Sequence, residues 1–147
     1  MINNFSELTT KLETLKDYKN LIFRGQANYD WALKPKISRN AKNRLSEIQL
    51  FRSWKRYAKY YLDKQPDNDW DWLAIAQHHG LSTRLLDWTK NPLVATYFAV
   101  SELSENDAVV YYYPIMESYQ INIEANPFKL KEFKVFYPSR LPHISRH

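Results

Sequence analysis

The residues with chemical potential lie in two short segments of the chain. The stretch 72–100 sets two adjacent histidines, His78 and His79, and the charged Arg84 in otherwise apolar surroundings. Charged groups in such surroundings are costly unless they are paired or used. We therefore interpret this stretch as either a buried polar network or a functional site.

The two glycines of the chain stand beside its most polar motifs. Gly25 lies within 23–26, and Gly80 lies within 77–87. Glycine accepts positive φ and lets a backbone or a ligand approach closely. We expect the two segments to form one site. The structural alternative is a turn at one glycine and a helix C-cap at the other.

A second polar group follows the histidines. Arg84 and Asp87 are three positions apart, which predicts a bidentate ion pair covered by Trp88. If the pair is structural, it holds this segment in place. If it is functional, Arg84 binds a phosphate or a carboxylate. We assign Asp87, Trp88 and Asn91 to a structural network and leave both roles open for Arg84. The side chains of adjacent histidines diverge by about 100° on a helix, so we expect no metal site.

Local patterns place these residues on an α+β framework, with a helical N-terminal half that includes one early strand and a strand-rich C-terminal half. The expected helices are 5–15, 46–63, 70–79 and 93–103, and the expected strands are 21–23, 109–113, 119–123 and 133–137. Arg24 then lies where the first strand opens into a loop. Gly80 takes the C′ position of a helix, and Asn91-Pro92 begins the next one.

The helix expected at 46–63 has two contrasting sides. Its start at Ser46 has capping-box spacing. Its apolar residues, Tyr61 among them, fall on one side, and a basic stripe falls on another, comprising Arg52, Lys55, Arg56 and Lys59. Such a stripe is either a solvated surface or a footprint for nucleic-acid phosphates.

The composition is that of a folded intracellular domain. The chain has 147 residues, 44% of them hydrophobic, and a formal net charge of +5, which weakly favours anionic partners. We expect the core to contain Trp72, Leu73, Ala76, Leu93, Ala95, Tyr97 and Phe98. The absence of cysteine excludes disulfides and thiolate chemistry. No signal peptide or membrane span is recognisable, so we expect a cytoplasmic protein with no membrane partner.

Two motifs resemble the FRG domain, a family named for its Phe-Arg-Gly triplet and found mainly in bacterial and phage proteins. The sequence F-R-G-Q occupies 23–26, and A-Q-H-H-G-x-x-T-R-L-L-D-W-T-x-N-P-L occupies 76–93. The resemblance implies a single domain over 1–147. The chain stops at His147, where the family's Gln-Gly-Phe motif would begin, so we expect a partner protein or that missing segment to complete it.

An arginine after an early strand, followed by glycine, also resembles the first element of NAD-dependent mono-ADP-ribosyltransferases, and implies a similar fold. By this resemblance NAD is the cofactor, the catalytic residues are Arg24, His78 and His79, and the cofactor-binding residues are Arg24, Gly25, Gln26, Thr83 and Arg84. Arg24, the histidines and Arg84 should converge on one pocket. No late glutamate matches a motif.

The function implied is an ADP-ribosyltransferase-like effector that modifies nucleic acid or protein in a toxin or phage-defence setting. Two alternatives stay open. One is a nucleic-acid-binding module without catalysis that uses the basic stripe, and the other is a structural or sensory domain whose polar motifs form a buried network.

Overall fold

The computed structural model describes residues 1–39, 47–102 and 104–139. The chain forms two compact units, one built from 1–32 and 87–118 and the other from 33–86 and the segment that begins at 119. Ser46, the predicted helix cap, and the motif-like residues after Ser139 lie outside the described residues.

The elements make an α+β fold, as predicted. The helices are α1 (Phe5–Glu13), α2 (Lys36–Arg39), α3 (Glu47–Ala58), α4 (Asp69–His78) and α5 (Pro92–Val100), and the strands are β1 (Leu21–Gln26) and β2 (Val109–Pro114), followed by a 3-10 turn at Glu117–Tyr119. Among the described residues, no helix has both the length and the apolar character needed to cross a bilayer.

Helix ends follow local side-chain chemistry. The Asn4 side chain accepts a hydrogen bond from the Glu7 amide at the start of α1. Asn91 accepts from the amides of Leu93 and Val94, with Pro92 at the first helical position of α5. Asn91 is the cap that the sequence predicted, because an Asn side chain satisfies amide groups that the first turn leaves without partners.

The first unit is organised on a two-stranded antiparallel sheet. Leu21 of β1 lies opposite Pro114 of β2, and Gln26 lies opposite Val109. Phe23 packs with Leu15 and Ala95 in the core of this unit. Since side chains alternate between the faces of a sheet, Phe23 and Gly25 face α5 while Arg24 points to the other face.

Helix α5 is less buried than its sequence predicts. Only Ala95 and Ala99 of this helix are buried, whereas Leu93 is 47% exposed and Phe98 is 61% exposed. Leu93, Tyr97 and Phe98 were expected in the core, and that prediction is wrong. The helix approaches β1 so closely that small residues fill the contact, and the larger side chains point away from it.

The second unit has the larger apolar core. Phe51, Ala58 and Leu62 pack with three residues of α4, namely Trp72, Leu73 and Ala76. The burial of those α4 residues confirms their predicted place in the core. Tyr61, predicted on the packed side of α3, is instead exposed, because the chain leaves helical geometry after Ala58.

The strand-rich C-terminal half is not found. Among the described residues, 119–123 and 133–137 form only an isolated bridge between Gln120 and Val135. Asparagines in and after the first of these segments bond to nearby backbone instead, since Asn122 accepts from the Glu124 amide and Asn126 accepts from the Phe128 amide. Such local turns compete with a strand ladder. An ADP-ribosyltransferase-like fold is therefore not supported.

Candidate functional site

Arg24 occupies the middle of β1 and not the strand end that was predicted. Its cross-strand partner is Tyr111, and the next pair on the same face is Ile22 with Tyr113. Directly opposite residues of an antiparallel pair have Cβ atoms about 5 Å apart and share a face. We call the surface formed by Arg24, Tyr111 and Tyr113 the Arg24 face.

The Arg24 side chain joins the two sequence motifs. Its Nη1 donates a hydrogen bond of 2.6 Å to the backbone carbonyl of Asp87. One residue earlier, Phe23 exchanges two backbone hydrogen bonds with Thr89, of 2.7 and 2.8 Å. The F-R-G-Q segment and the D-W-T segment at 87–89 therefore meet along β1, inside a single unit of the chain.

Gly25 is required by helix packing. A Cβ atom at this position would overlap the carbonyl oxygen of Ala95 and lie 2.7 Å from the amide nitrogen of Ala99. A bare backbone is thus needed where β1 meets α5. The close approach expected at this glycine is therefore made by the backbone of α5, and the contact of Gly25 with a cofactor stays a prediction.

Gln26 and Asn91 also have structural contacts in the first unit. The Gln26 side chain is buried and donates through Nε2 to the carbonyl of Trp31, at 3.2 Å. Trp88 is half-buried in the segment that bonds to β1. Asn91 is the α5 cap, as a member of a structural network should be.

The two histidines lie at the end of α4. His78 is the last helical residue and His79 is the C-cap, and both side chains are exposed. The His79 ring stacks on Trp54 with centroids 6.5 Å apart, and the His78 ring meets the His79 ring edge to face with centroids 5.3 Å apart. Gly80 follows with φ +89°, which confirms the helix C-cap alternative for this glycine.

Arg84 pairs with a different carboxylate from the one predicted. Its Nη2 lies 2.6 Å from Glu47 Oε2, and its Nε lies 3.1 Å from both oxygens of Glu47. Nη1 donates to the carbonyl of Pro127, and the guanidinium lies 5.2 Å from the centre of the Phe128 ring. The predicted pair with Asp87 is wrong, because the chain brings the start of α3 to Arg84.

Glu47 is the residue that sequence reasoning missed at this point. It is buried and also accepts a hydrogen bond from the Arg84 backbone amide, at 3.1 Å. A carboxylate at the start of a helix is ordinarily explained by the helix dipole, so its position gave no signal of a partner 37 residues away.

Thr83 lies beside this pair and is fully buried. Its hydroxyl donates to the Gln77 side chain and accepts from the amide of Leu85. These contacts give Thr83 a structural role in the second unit, and its part in cofactor binding stays a prediction.

The basic stripe of α3 divides into two parts. Lys55 is half-buried, forms a 2.6 Å ion pair with Asp69, and lies 5.1 Å from the centre of the Trp72 ring. Arg52, Arg56 and Lys59 are exposed. Lys55 therefore stabilises the packing of α3 on α4, and the other three cations face solvent.

The predicted site residues are distributed over both units. Arg24, Gly25 and Gln26 belong to the first, and His78, His79, Thr83 and Arg84 belong to the second. Their convergence on one pocket stays a prediction. Among the described residues, no group of three or more His, Asp or Glu side chains is placed to hold a metal ion.

Comparison with known proteins identifies one family. The model of the FRG domain matches residues 19–108, more than half of the chain. The match includes both motifs, Arg24 and the basic part of α3, and it ends before Tyr111 and Tyr113. No curated protein and no solved structure matches the chain.

Proposed function

The chain belongs to the FRG domain family, and on this basis we propose that it is an NAD-dependent effector similar in activity to mono-ADP-ribosyltransferases. Arg24 anchors the cofactor's phosphates in this proposal. The modified target is a nucleic acid or a protein, and the setting is a cytoplasmic toxin or phage-defence system.

The observation that carries the proposal is the arrangement of the Arg24 face. A guanidinium group matches phosphate oxygens in a planar fork, and the bond to the Asp87 carbonyl holds one side of it in a defined orientation. An oriented side chain loses less entropy when a ligand binds. Tyr111 and Tyr113, on the same face, offer aromatic surfaces for a planar ring. The residues present therefore fit a phosphate-bearing dinucleotide.

When bound, NAD supplies an ADP-ribosyl group that passes to the target as nicotinamide leaves. The task of this chain's residues is to bind and orient. Arg24 holds the phosphates, and Tyr111 limits the positions that a ring can take beside it. Position matters because misplacing a reacting group by about 1 Å can cost on the order of 100-fold in rate.

Calorimetric titration with NAD tests the proposal. Losing a hydrogen bond to a charged group costs about 1.5–3 kcal/mol, so Arg24→Ala should weaken binding roughly 10- to 160-fold. Arg24→Lys should recover only part of the affinity, because lysine keeps the charge but lacks the fork. Tyr111→Phe should bind normally and Tyr111→Ala weakly. Arg39→Ala, at an exposed arginine of the other unit, is the matched control.

The activity is tested separately by expression in bacteria. We expect growth arrest with loss of cellular NAD, relieved by Arg24→Ala while circular dichroism of the purified variant stays unchanged. A wild-type protein that binds no NAD, or an Arg24→Ala variant that binds it as tightly as wild type, would overturn the proposal.

A structural or sensory role is the rival function. The observation that favours it is the Glu47–Arg84 pair with its Pro127 and Phe128 contacts, because these use a motif arginine for packing. Under this alternative, substitutions in both motifs change stability and none changes NAD binding.

A further inference from the structure

We propose that the exposed side of α3 and the turn after it bind single-stranded nucleic acid, independently of any NAD chemistry. The surface consists of three cations and three aromatic rings. We call it the α3 ridge, and its residues are Arg52, Arg56, Tyr57, Lys59, Tyr60 and Tyr61.

The opposite side of α3 holds the ridge in place. Phe51, Ala58 and Leu62 are buried against α4, and Trp54 meets Trp72 edge to face at 6.2 Å. Backbone hydrogen bonds continue through the turn, from the Lys59 amide to the Lys55 carbonyl and from the Tyr60 amide to the Tyr57 carbonyl. The exposed side chains therefore project from a rigid support.

The charge of the ridge has one sign. No aspartate or glutamate occurs from 48 to 62. Glu47, at the start of α3, is paired with Arg84, and Asp69 is paired with Lys55. In the described part of the chain, Arg52, Arg56 and Lys59 take part in no ion pair. A row of cations without acidic neighbours matches the phosphates of a nucleic-acid strand.

The tyrosines select the kind of nucleic acid. Tyr57 is 67% exposed, Tyr60 is 85% exposed and Tyr61 is 71% exposed. Exposed rings beside cations are the usual platform for unpaired bases, which stack on aromatic side chains. The bases of a duplex are stacked on one another and do not offer their faces. The ridge therefore fits a single strand better than a duplex.

The apolar side of α3 argues against a membrane surface as the partner. Basic amphipathic helices bind bilayers by inserting their apolar side. In α3 that side is already used, since Phe51 is 2% exposed in the core of the second unit. The ridge offers cations and tyrosine rings to its ligand and contains no aliphatic side chain, and the exposed aliphatic residues of α3, Ile48 and Leu50, lie in its first turn.

Fluorescence anisotropy with a labelled oligo-dT strand and with a duplex of equal length tests the proposal. We expect tighter binding of the strand, with affinity falling as salt rises. Three phosphate contacts on a single strand predict a slope of about −2 in log affinity against log salt. Arg56→Ala should lower the magnitude of that slope by about 0.7. Tyr60→Ala should weaken binding roughly 5- to 160-fold, the range for loss of one stacked base.

Matched controls lie in the first unit. Tyr29→Ala removes a ring of similar exposure, and Lys11→Ala removes an exposed cation; neither should change strand binding. Equal or tighter binding of the duplex would overturn the proposal, as would retention of affinity in Tyr57→Ala/Tyr60→Ala. Absence of strand binding at low salt, or binding only to anionic lipid vesicles, would also overturn it. Arg24→Ala should leave strand binding unchanged, which separates this result from a failure of the NAD proposal.

Discussion

Removal of either partner of the Glu47–Arg84 pair should destabilise the second unit by different amounts. The Glu47 side chain is 10% exposed and the Arg84 side chain is 30% exposed. When Glu47 is removed, Arg84 keeps its hydrogen bond to the Pro127 carbonyl and its contact with the Phe128 ring. Glu47 would lose both its ion pair and the side-chain hydrogen bonds if Arg84 were replaced.

These contacts set the expected magnitudes. Breaking a buried ion pair costs about 3–5 kcal/mol. When Glu47 is removed the loss should fall below this range, because water can reach the partly exposed Arg84 side chain. We expect Glu47→Ala to lower the free energy of unfolding by about 2 kcal/mol and Arg84→Met by about 3–4 kcal/mol, because the second change leaves a carboxylate in the less exposed position. The double variant Glu47→Leu/Arg84→Met should lose less than the two single losses combined.

Urea unfolding followed by circular dichroism measures these differences as shifts of the midpoint. The control is Glu132→Ala, since Glu132 is 77% exposed and pairs with Lys134 at 3.5 Å. Exposed pairs of this kind contribute about 0–1 kcal/mol. If Glu47→Ala were no more destabilising than Glu132→Ala, or Arg84→Met were the milder of the two pair variants, the reasoning from burial would be refuted.

Three other substitutions test the packing of α5. Gly25→Ala places a methyl group against the Ala95 carbonyl and should cost at least about 1–3 kcal/mol, seen as a lower thermal midpoint with β1 still formed. Leu93→Ala, at an exposed position, should cost well below the 2–5 kcal/mol of a buried leucine; a buried-type loss in urea unfolding would contradict the exposure. Asn91→Ala removes the α5 cap and should cost about 0.5–2 kcal/mol, whereas Asn91→Ser should retain most of the stability. Equal losses for the alanine and serine variants would argue against capping.

The helix starts at asparagine and the end of α4 at glycine could be predicted because they depend on residues within one turn. Asn4 and Asn91 cap their helices through amide groups two to three positions away, and Gly80 ends α4 by its own backbone conformation. The buried residues of α4 followed from its apolar composition. The FRG family was recognisable for a related reason, since its motifs are contiguous in the chain.

Pairings between distant residues could not be predicted in this way. Arg84 had Asp87 as its nearest acid in sequence, but packing places Glu47 beside it, 37 positions away. Likewise, Tyr111 lies opposite Arg24 because of the register of β1 and β2, which no local pattern encodes. The composition of the Arg24 face therefore depends on strand pairing.

Solvent exposure also depends on contacts between distant residues, so it could not be predicted from local patterns. The larger apolar residues of α5 and Tyr61 of α3 are of types that usually lie in a core, yet they face outward. Burial requires a neighbouring element at contact distance, and periodicity reports only which residues share a side. The aromatic runs at 119–123 and 133–137 show the same limit, because strand propensity becomes a strand only when another segment supplies its hydrogen-bond ladder.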